Sequence, residues 1–129
     1  MKSFIKFFLV VSMFITTFNS AYALNFEQAF TESNKTPMVV LLYADWADGI
    51  GNTLTQYREI ASEFAKNFNF VELDIASKDA KAFNDKYHIY PKLPYVLMFR
   101  DGGKVSRYVH RECASDYSCL KSKLKTFIQ

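Results

Sequence analysis

The chain carries no cysteine before Cys113, and that absence limits its chemistry more than any other feature. Residues 38–42 form an apolar run that reads as a buried strand. The run breaks at Ala44-Asp45-Trp46, and an amphipathic helix begins a few residues later. A strand feeding a helix through a short turn gathers backbone N–H groups and the positive end of the helix dipole at one spot. Such a field favours a thiolate, but the turn here holds Ala47, Asp48, Gly49 and Ile50. The stretch Asp48-Gly49-Ile50-Gly51-Asn52 also lacks the lysine and hydroxyl of a phosphate loop, so no nucleotide or other cofactor is expected. Its glycines read as a tight turn and Asp48 as a helix cap, with Asn52 competing for that role.

A surplus of positive charge is missing as well. Residues 1–23 contain Lys2 and Lys6 and no acid, so their removal takes the formal charge from +3 to +1. A near-neutral chain with scattered charges offers no electrostatic footprint for nucleic acid. Those 23 residues read as a secretory signal peptide. They combine a basic start, an apolar stretch too short for a comfortable membrane span, and a small-x-small pattern at Ala21-Tyr22-Ala23. An uncleaved anchor is the alternative reading. No cysteine stands near the cleavage site, which argues against lipoprotein processing. The expectation is a periplasmic or secreted domain, residues 24–129, with no membrane attachment after cleavage. At 129 residues, half of them hydrophobic, the chain has material for one core and one domain.

Taken in order, Phe26, Ala29 and Phe30 share one face of a short helix closed off by Pro37. Residues 38–43 are continuously apolar and read as a central strand covered on both faces. Leu54, Tyr57, Ala61, Phe64 and Phe68 recur at spacings of three and four, which predicts an amphipathic helix of about four turns. A second strand at 70–75 completes a right-handed βαβ unit, so the two strands should run parallel. Ala80, Phe83 and Tyr87 mark a third helix with Ser77 as its N-cap, ended by Pro91 and Pro94. Residues 95–100, Asp101-Gly102-Gly103 and 104–110 read as a β-hairpin. Tyr117, Leu120, Leu124, Phe127 and Ile128 line one face of a closing helix. The result is an α/β fold: a four-stranded mixed sheet with helices on both faces, the 70–75 strand beside 38–43, then 95–100, then 104–110. No repeat, low-complexity tract or linker divides it.

This order, with Tyr43-Ala44-Asp45-Trp46 at the first strand's end and Leu93-Pro94 opening the hairpin, resembles the thioredoxin superfamily. The Tyr43 to Trp46 stretch is similar to exported bacterial members such as the C-terminal domain of the DsbD reductase. The resemblance runs from about Phe26 to Gln129, and its most specific parts also include Tyr87-His88-Ile89 and the Asp101-Gly102 turn. The family often has an additional N-terminal strand, for which a chain starting at residue 24 leaves little room. In the family the tryptophan is followed by Cys-x-x-Cys, whose place is taken here by Ala47 to Ile50. Dithiol–disulfide exchange at that place would have neither nucleophile nor resolving thiol. Family members often carry a buried acid on the preceding strand, where this chain has Leu41, and a lysine on the next strand, where it has Glu72. Leu93-Pro94 matches the family's cis-proline site, beside which an extended peptide pairs by β-augmentation. A plain turn into the strand is the other reading of Pro94. The resemblance therefore implies a peptide-holding groove formed by Tyr43, Trp46, Ala47, Ile50, Leu93 and Pro94, retained without the redox pair.

Cys113 and Cys119 lie in the exported part, between the last strand and the closing helix. An even count in an oxidising compartment favours a disulfide. One reading is a staple joining the strand's end to the helix's first turn. The other is a relocated redox pair, with Cys119 activated by the helix N-terminus. Its neighbours pull both ways, since Arg111 and His110 would lower a thiol pKa while Glu112 and Asp116 would raise it. His110 with both cysteines could be drawn as a soft-metal site, but the spacing matches no usual finger, a disulfide would consume the thiolates, and no metal is expected. His88 reads as a structural residue near a helix end. Two functions follow as expectations: an exported binding protein holding an extended segment of another exported protein, or a thiol–disulfide oxidoreductase using Cys113 and Cys119.

Overall fold

A computed structural model describes residues 25–128; the expected signal peptide lies outside the described residues. The first helix, α1 (Phe26–Glu32), is opened by a capping box that the periodicity did not reveal. The Gln28 N–H donates to Asn25 Oδ1 at 2.9 Å and the Asn25 N–H donates to Gln28 Oε1 at 3.4 Å. Two of the orphan donors of the first turn are thereby satisfied.

The strand β1 (Met38–Tyr43) is apolar throughout because both of its faces are covered. Val39 and Leu41 point into one core with Tyr57, Ile60, Leu120 and Leu124, while Met38, Val40 and Leu42 point into another with Phe26, Ala29, Ala80 and Phe83. Helices α2 (Ile50–Glu63) and α5 (Tyr117–Phe127) supply the first layer; α1 and α3 (Lys78–Lys86) supply the second. Between them β1 pairs in parallel with β2 (Asn69–Asp74) and antiparallel with β3 (Tyr95–Arg100), and β3 pairs antiparallel with β4 (Val105–Val109). The sheet order β2-β1-β3-β4 agrees with the pattern read from the sequence.

The hairpin turns through a single 3-10 turn, Asp101–Gly103, that only small residues can make. Gly103 has φ +88°, and a Cβ built there would stand 2.7 Å from Cζ of Phe30. A side chain at that position meets strain and a collision together.

Three local expectations are corrected. The second helix starts at Ile50 and stops at Glu63, five residues short of Phe68, the last residue placed on it by spacing. A turn at 64–67 follows, and Phe68 is nonetheless buried, its ring stacked 6.4 Å from that of Phe127. Apolar spacing reports burial, and a tight turn preserves burial after the helix has ended. Neither Asp48 nor Asn52 caps this helix: the N-cap is Gly49 at φ +74°, with no side-chain cap bond. That left-handed backbone, with open space around it, selects glycine for its conformation and leaves Asp48 exposed. Ile128, placed by spacing on the closing helix's apolar face, is the C-cap of α5 and exposed. Ser77 does stand at the N-cap of α3, but its hydroxyl donates to the Asp74 carbonyl at 2.6 Å instead of capping.

A polar clasp ties α5 to α2. Glu63 accepts from the Tyr117 hydroxyl and pairs with Lys121 at 2.8 Å. Lys121 first, then Tyr117, holds the Glu63 carboxyl below its ordinary value. Its contribution is therefore present near neutral pH and fades as pH falls through the lowered value.

Candidate functional site

Beyond Tyr43 the chain leaves the sheet through two successive turns. The Ala47 N–H donates to the Ala44 carbonyl at 3.1 Å, and the Ile50 N–H donates to the Ala47 carbonyl at 3.3 Å. These turns push Trp46 outward, and it is 72% exposed. An indole left in water beside other apolar side chains is unusual in a chain with so well-filled a core. Across from it runs the irregular segment between α3 and β3. Ala44, Trp46 and Ala47 on one side, with Ile75, Ile89, Tyr90, Pro91 and Leu93, line a groove of about 400 Å³.

Tyr90, also exposed, is held in place by the buried Tyr95 and by the exposed Tyr108. Its N–H donates to the Tyr95 hydroxyl at 3.2 Å, and that hydroxyl donates to the His88 carbonyl at 3.3 Å. Burial raises the Tyr95 pKa, which keeps the phenol a donor. The Tyr90 ring meets those of Tyr95 at 5.6 Å and Tyr108 at 5.2 Å, both edge to face. His88 is exposed and serves the segment through its backbone.

A second hollow of about 520 Å³ adjoins the first and is more polar. Ala47 and Leu93 line both; Asp48, Pro94, Arg111 and Glu112 belong to the second alone. The Leu93–Pro94 peptide bond is cis. The Leu93 N–H donates to the Pro91 carbonyl at 3.2 Å, so strand-like pairing through that amide would require the turn to open.

Of the six residues assigned to a peptide groove, the fold brings Trp46, Ala47, Leu93 and Pro94 together along these linings. Tyr43 and Ile50 do not line them. Tyr43 packs against the α2 and α5 core, with its pKa raised by burial and then by Asp74, and Ile50 opens α2. Ile89 and Tyr90 were not foreseen as part of the site. Apart from the place of Ile89 in the Tyr87-His88-Ile89 stretch, their sequence signal is an apolar pair beside Pro91 that fits no helix or strand period.

No thiol, carboxylate, imidazole or amine lines the first groove, and its one ionisable side chain is the Tyr90 phenol. On β2, Glu72 accepts two hydrogen bonds from Arg58, both at 2.8 Å. Leu41, its register partner on β1, is fully buried in apolar surroundings.

Both cysteines of the described residues are joined in the Cys113–Cys119 disulfide. Cys113 sits in α4 (Arg111–Ala114), a four-residue helix too short to leave a period in the sequence, and is 5% exposed. Cys119 is the third residue of α5, partly buried, and its N–H donates to Oδ1 of the Asp116 cap at 2.9 Å. His110 pairs with Glu112 at 3.2 Å. The Glu112 carboxyl is lowered first by a hydrogen bond from its own backbone N–H and then by His110. On the chain-entropy account, so short a loop makes the bridge worth about 2 kcal/mol. Replacing both cysteines by alanine is expected to lower the melting temperature by about 8–16 °C in calorimetry.

The thioredoxin family model matches residues 17–125. The chain belongs to the thioredoxin family. It is similar to the thioredoxin of Fasciola hepatica, at 19% identity over 78% of this chain and 88% of that one, with a TM-score of 0.62. A chain of the complex between ferredoxin:thioredoxin reductase and thioredoxin f2 shares 18% identity over 81% and 88% of the two chains, with a TM-score of 0.66. For the oxidised thioredoxin of Plasmodium falciparum the values are 15%, 81%, 90% and 0.61. No curated protein matches the chain in sequence. Identities this low carry the thioredoxin fold and no activity. Positions 47–50, which follow the exposed Trp46, are Ala, Asp, Gly and Ile. Among the described residues no helix is long and apolar enough to cross a membrane.

Proposed function

We propose that this is an exported thioredoxin-fold protein that binds an extended apolar segment of another exported protein and performs no exchange at the turn after Trp46. The observation that carries this reading is the exposed pair Trp46 and Tyr90, set in one apolar groove with Leu93 and with no reactive side chain between them. The groove lies within the size range of pre-formed ligand sites. Because the Leu93 amide is engaged by Pro91, side chains entering the groove carry the affinity, with Trp46 as the anchor. An oxidised cysteine pair and the signal-peptide reading of residues 1–23 support export to the periplasm or beyond.

Trp46 is the sole tryptophan, so its fluorescence reports the groove directly. Titrating unstructured peptides rich in apolar side chains into the protein is expected to shift its emission to the blue and to saturate. Truncating an anchor of this kind costs roughly 2 kcal/mol or more, about a 30-fold loss of affinity. Trp46→Ala, followed by calorimetry, and Leu93→Asp, followed by fluorescence, should each show that loss with the circular dichroism unchanged. Folded variants that bind as tightly as wild type would refute the groove.

The second reading is a thiol–disulfide oxidoreductase using Cys113 and Cys119. Its support is the place of Cys119 in the first turn of α5, where the helix field favours a thiolate. Against it, Cys113 is buried, so attack would have to begin at Cys119. A reduction potential below about −300 mV marks a structural bridge, and one between about −230 and −120 mV an exchange-competent pair.

A further inference from the structure

On the face opposite α1 and α3, the last turn of α5 does not fully cover the sheet's edge. A hollow of about 330 Å³ opens there between β4 and the end of the helix. Every charged side chain lining it is a cation: Arg100 from β3, Arg107 from β4 and Lys123 from α5. Its remaining surface includes Met98, Val109 and Phe127, which belong to the apolar core.

Arg100 is fixed at the inner end. Its Nη1 donates to the Phe127 carbonyl at 2.9 Å, and its guanidinium lies over the Phe127 ring, 5.1 Å from the centroid. Its Nε is buried and has no hydrogen-bond partner among the described residues. Asp101 Oδ2 stands 3.8 Å away, close enough to attract and too far to accept a hydrogen bond. That Nε is closed off from the hollow, so an anion there meets the guanidinium through its other N–H groups. Arg107 and Lys123 are exposed at the rim, and Arg107 already donates to the Ser106 carbonyl at 2.8 Å. The rim charges therefore attract an anion through water, while the anchored guanidinium offers a planar fork that matches a carboxylate.

We propose that this hollow binds a small carboxylate with an apolar body, the head on Arg100 and the body against Met98, Val109 and Phe127. The chemistry is shared by a short fatty acid and by a chain terminus ending in an apolar residue. The site is separate from the Trp46 groove and does not rest on the function proposed for it.

Octanoate is titrated into the full chain by calorimetry, with amide chemical shifts followed in parallel. Saturable one-to-one binding is expected, at least tenfold tighter than that of octanol or inorganic phosphate, with shifts confined to the end of β3, β4 and the end of α5. A short peptide ending in leucine and its C-terminal amide form the second pair, and the tighter of the two free carboxylates identifies the source. Arg107→Gln combined with Lys123→Gln should weaken binding at least tenfold without loss of fold, because both side chains are exposed. Arg100→Lys, which keeps the charge and loses the fork, should weaken it at least as much. The proposal is overturned if neither carboxylate saturates, if octanol or phosphate binds as tightly, or if all variants bind like wild type.

Discussion

Aspartate in place of Leu41 is expected to cost about 4 kcal/mol or more at neutral pH, because it buries a carboxyl group without a partner. Leu41 lies on the central strand, fully buried among Val39, Tyr57 and Val96. Its register partner on β2 is Glu72, which accepts both of its hydrogen bonds from Arg58. The new acid would therefore meet a like charge whose cation is already engaged. Both effects raise its folded-state pKa above the ordinary value of about 3.9. The sign follows from linkage: a group with a raised folded pKa contributes most below the unfolded value, and that contribution is lost as pH rises through the folded one. Urea titrations should thus find the gap between variant and wild type narrower at pH 4 than at pH 8. An equal gap at both values would mean that the carboxyl reaches water or a cation.

The fold was legible because its strongest signals are long-range consequences of burial. An unbroken apolar strand, 38–43, can exist only where both faces are covered, and a helix-length connection to a second strand forces a parallel pair. What escaped was local and energetic on a smaller scale. The capping box at Asn25 and Gln28 involves two polar residues with no periodic signature. Gly49 caps α2 through a left-handed backbone, whereas Asp48 carries the more familiar capping side chain. The helix α4 is one turn long, below the reach of any periodicity.

The candidate site was half legible for a related reason. Trp46, Ala47, Leu93 and Pro94 were marked by their order relative to strands that could be placed. Ile89 and Tyr90 lie in a segment held by Tyr95 and by ring contacts, which only the folded sheet creates. The single pairing open to two cysteines made the bridge readable, but the burial of Cys113 depends on how α4 packs under β3. The cationic hollow could not be read at all, because Arg100, Arg107 and Lys123 come from three elements that meet only at the sheet's edge.

Tyr57→Ala is expected to destabilise the domain by about 3–5 kcal/mol, and Tyr57→Phe by about 1 kcal/mol. The side chain is 2% exposed on α2, and its ring meets that of Phe70 edge to face at 5.7 Å. Its hydroxyl reaches the carbonyls of Val39 at 3.0 Å and Val71 at 2.8 Å, one on each strand of the parallel pair. A phenol has one proton to donate, so the two carbonyls share it and the hydroxyl is worth about one hydrogen bond. The ring fills space that neighbouring side chains cannot close, which places most of the loss in the cavity left by alanine. Denaturant titration of both variants separates the parts, and hydrogen exchange locates them. The phenylalanine variant should exchange faster at β1 and β2 amides while leaving α5 unchanged, since the lost bond spans only the parallel pair. If phenylalanine costs as much as alanine, the hydroxyl pins the sheet that carries the Trp46 turn, and packing plays the lesser part. Trp46 fluorescence should be unaltered in the phenylalanine variant, because β1 still delivers the turn to the same place.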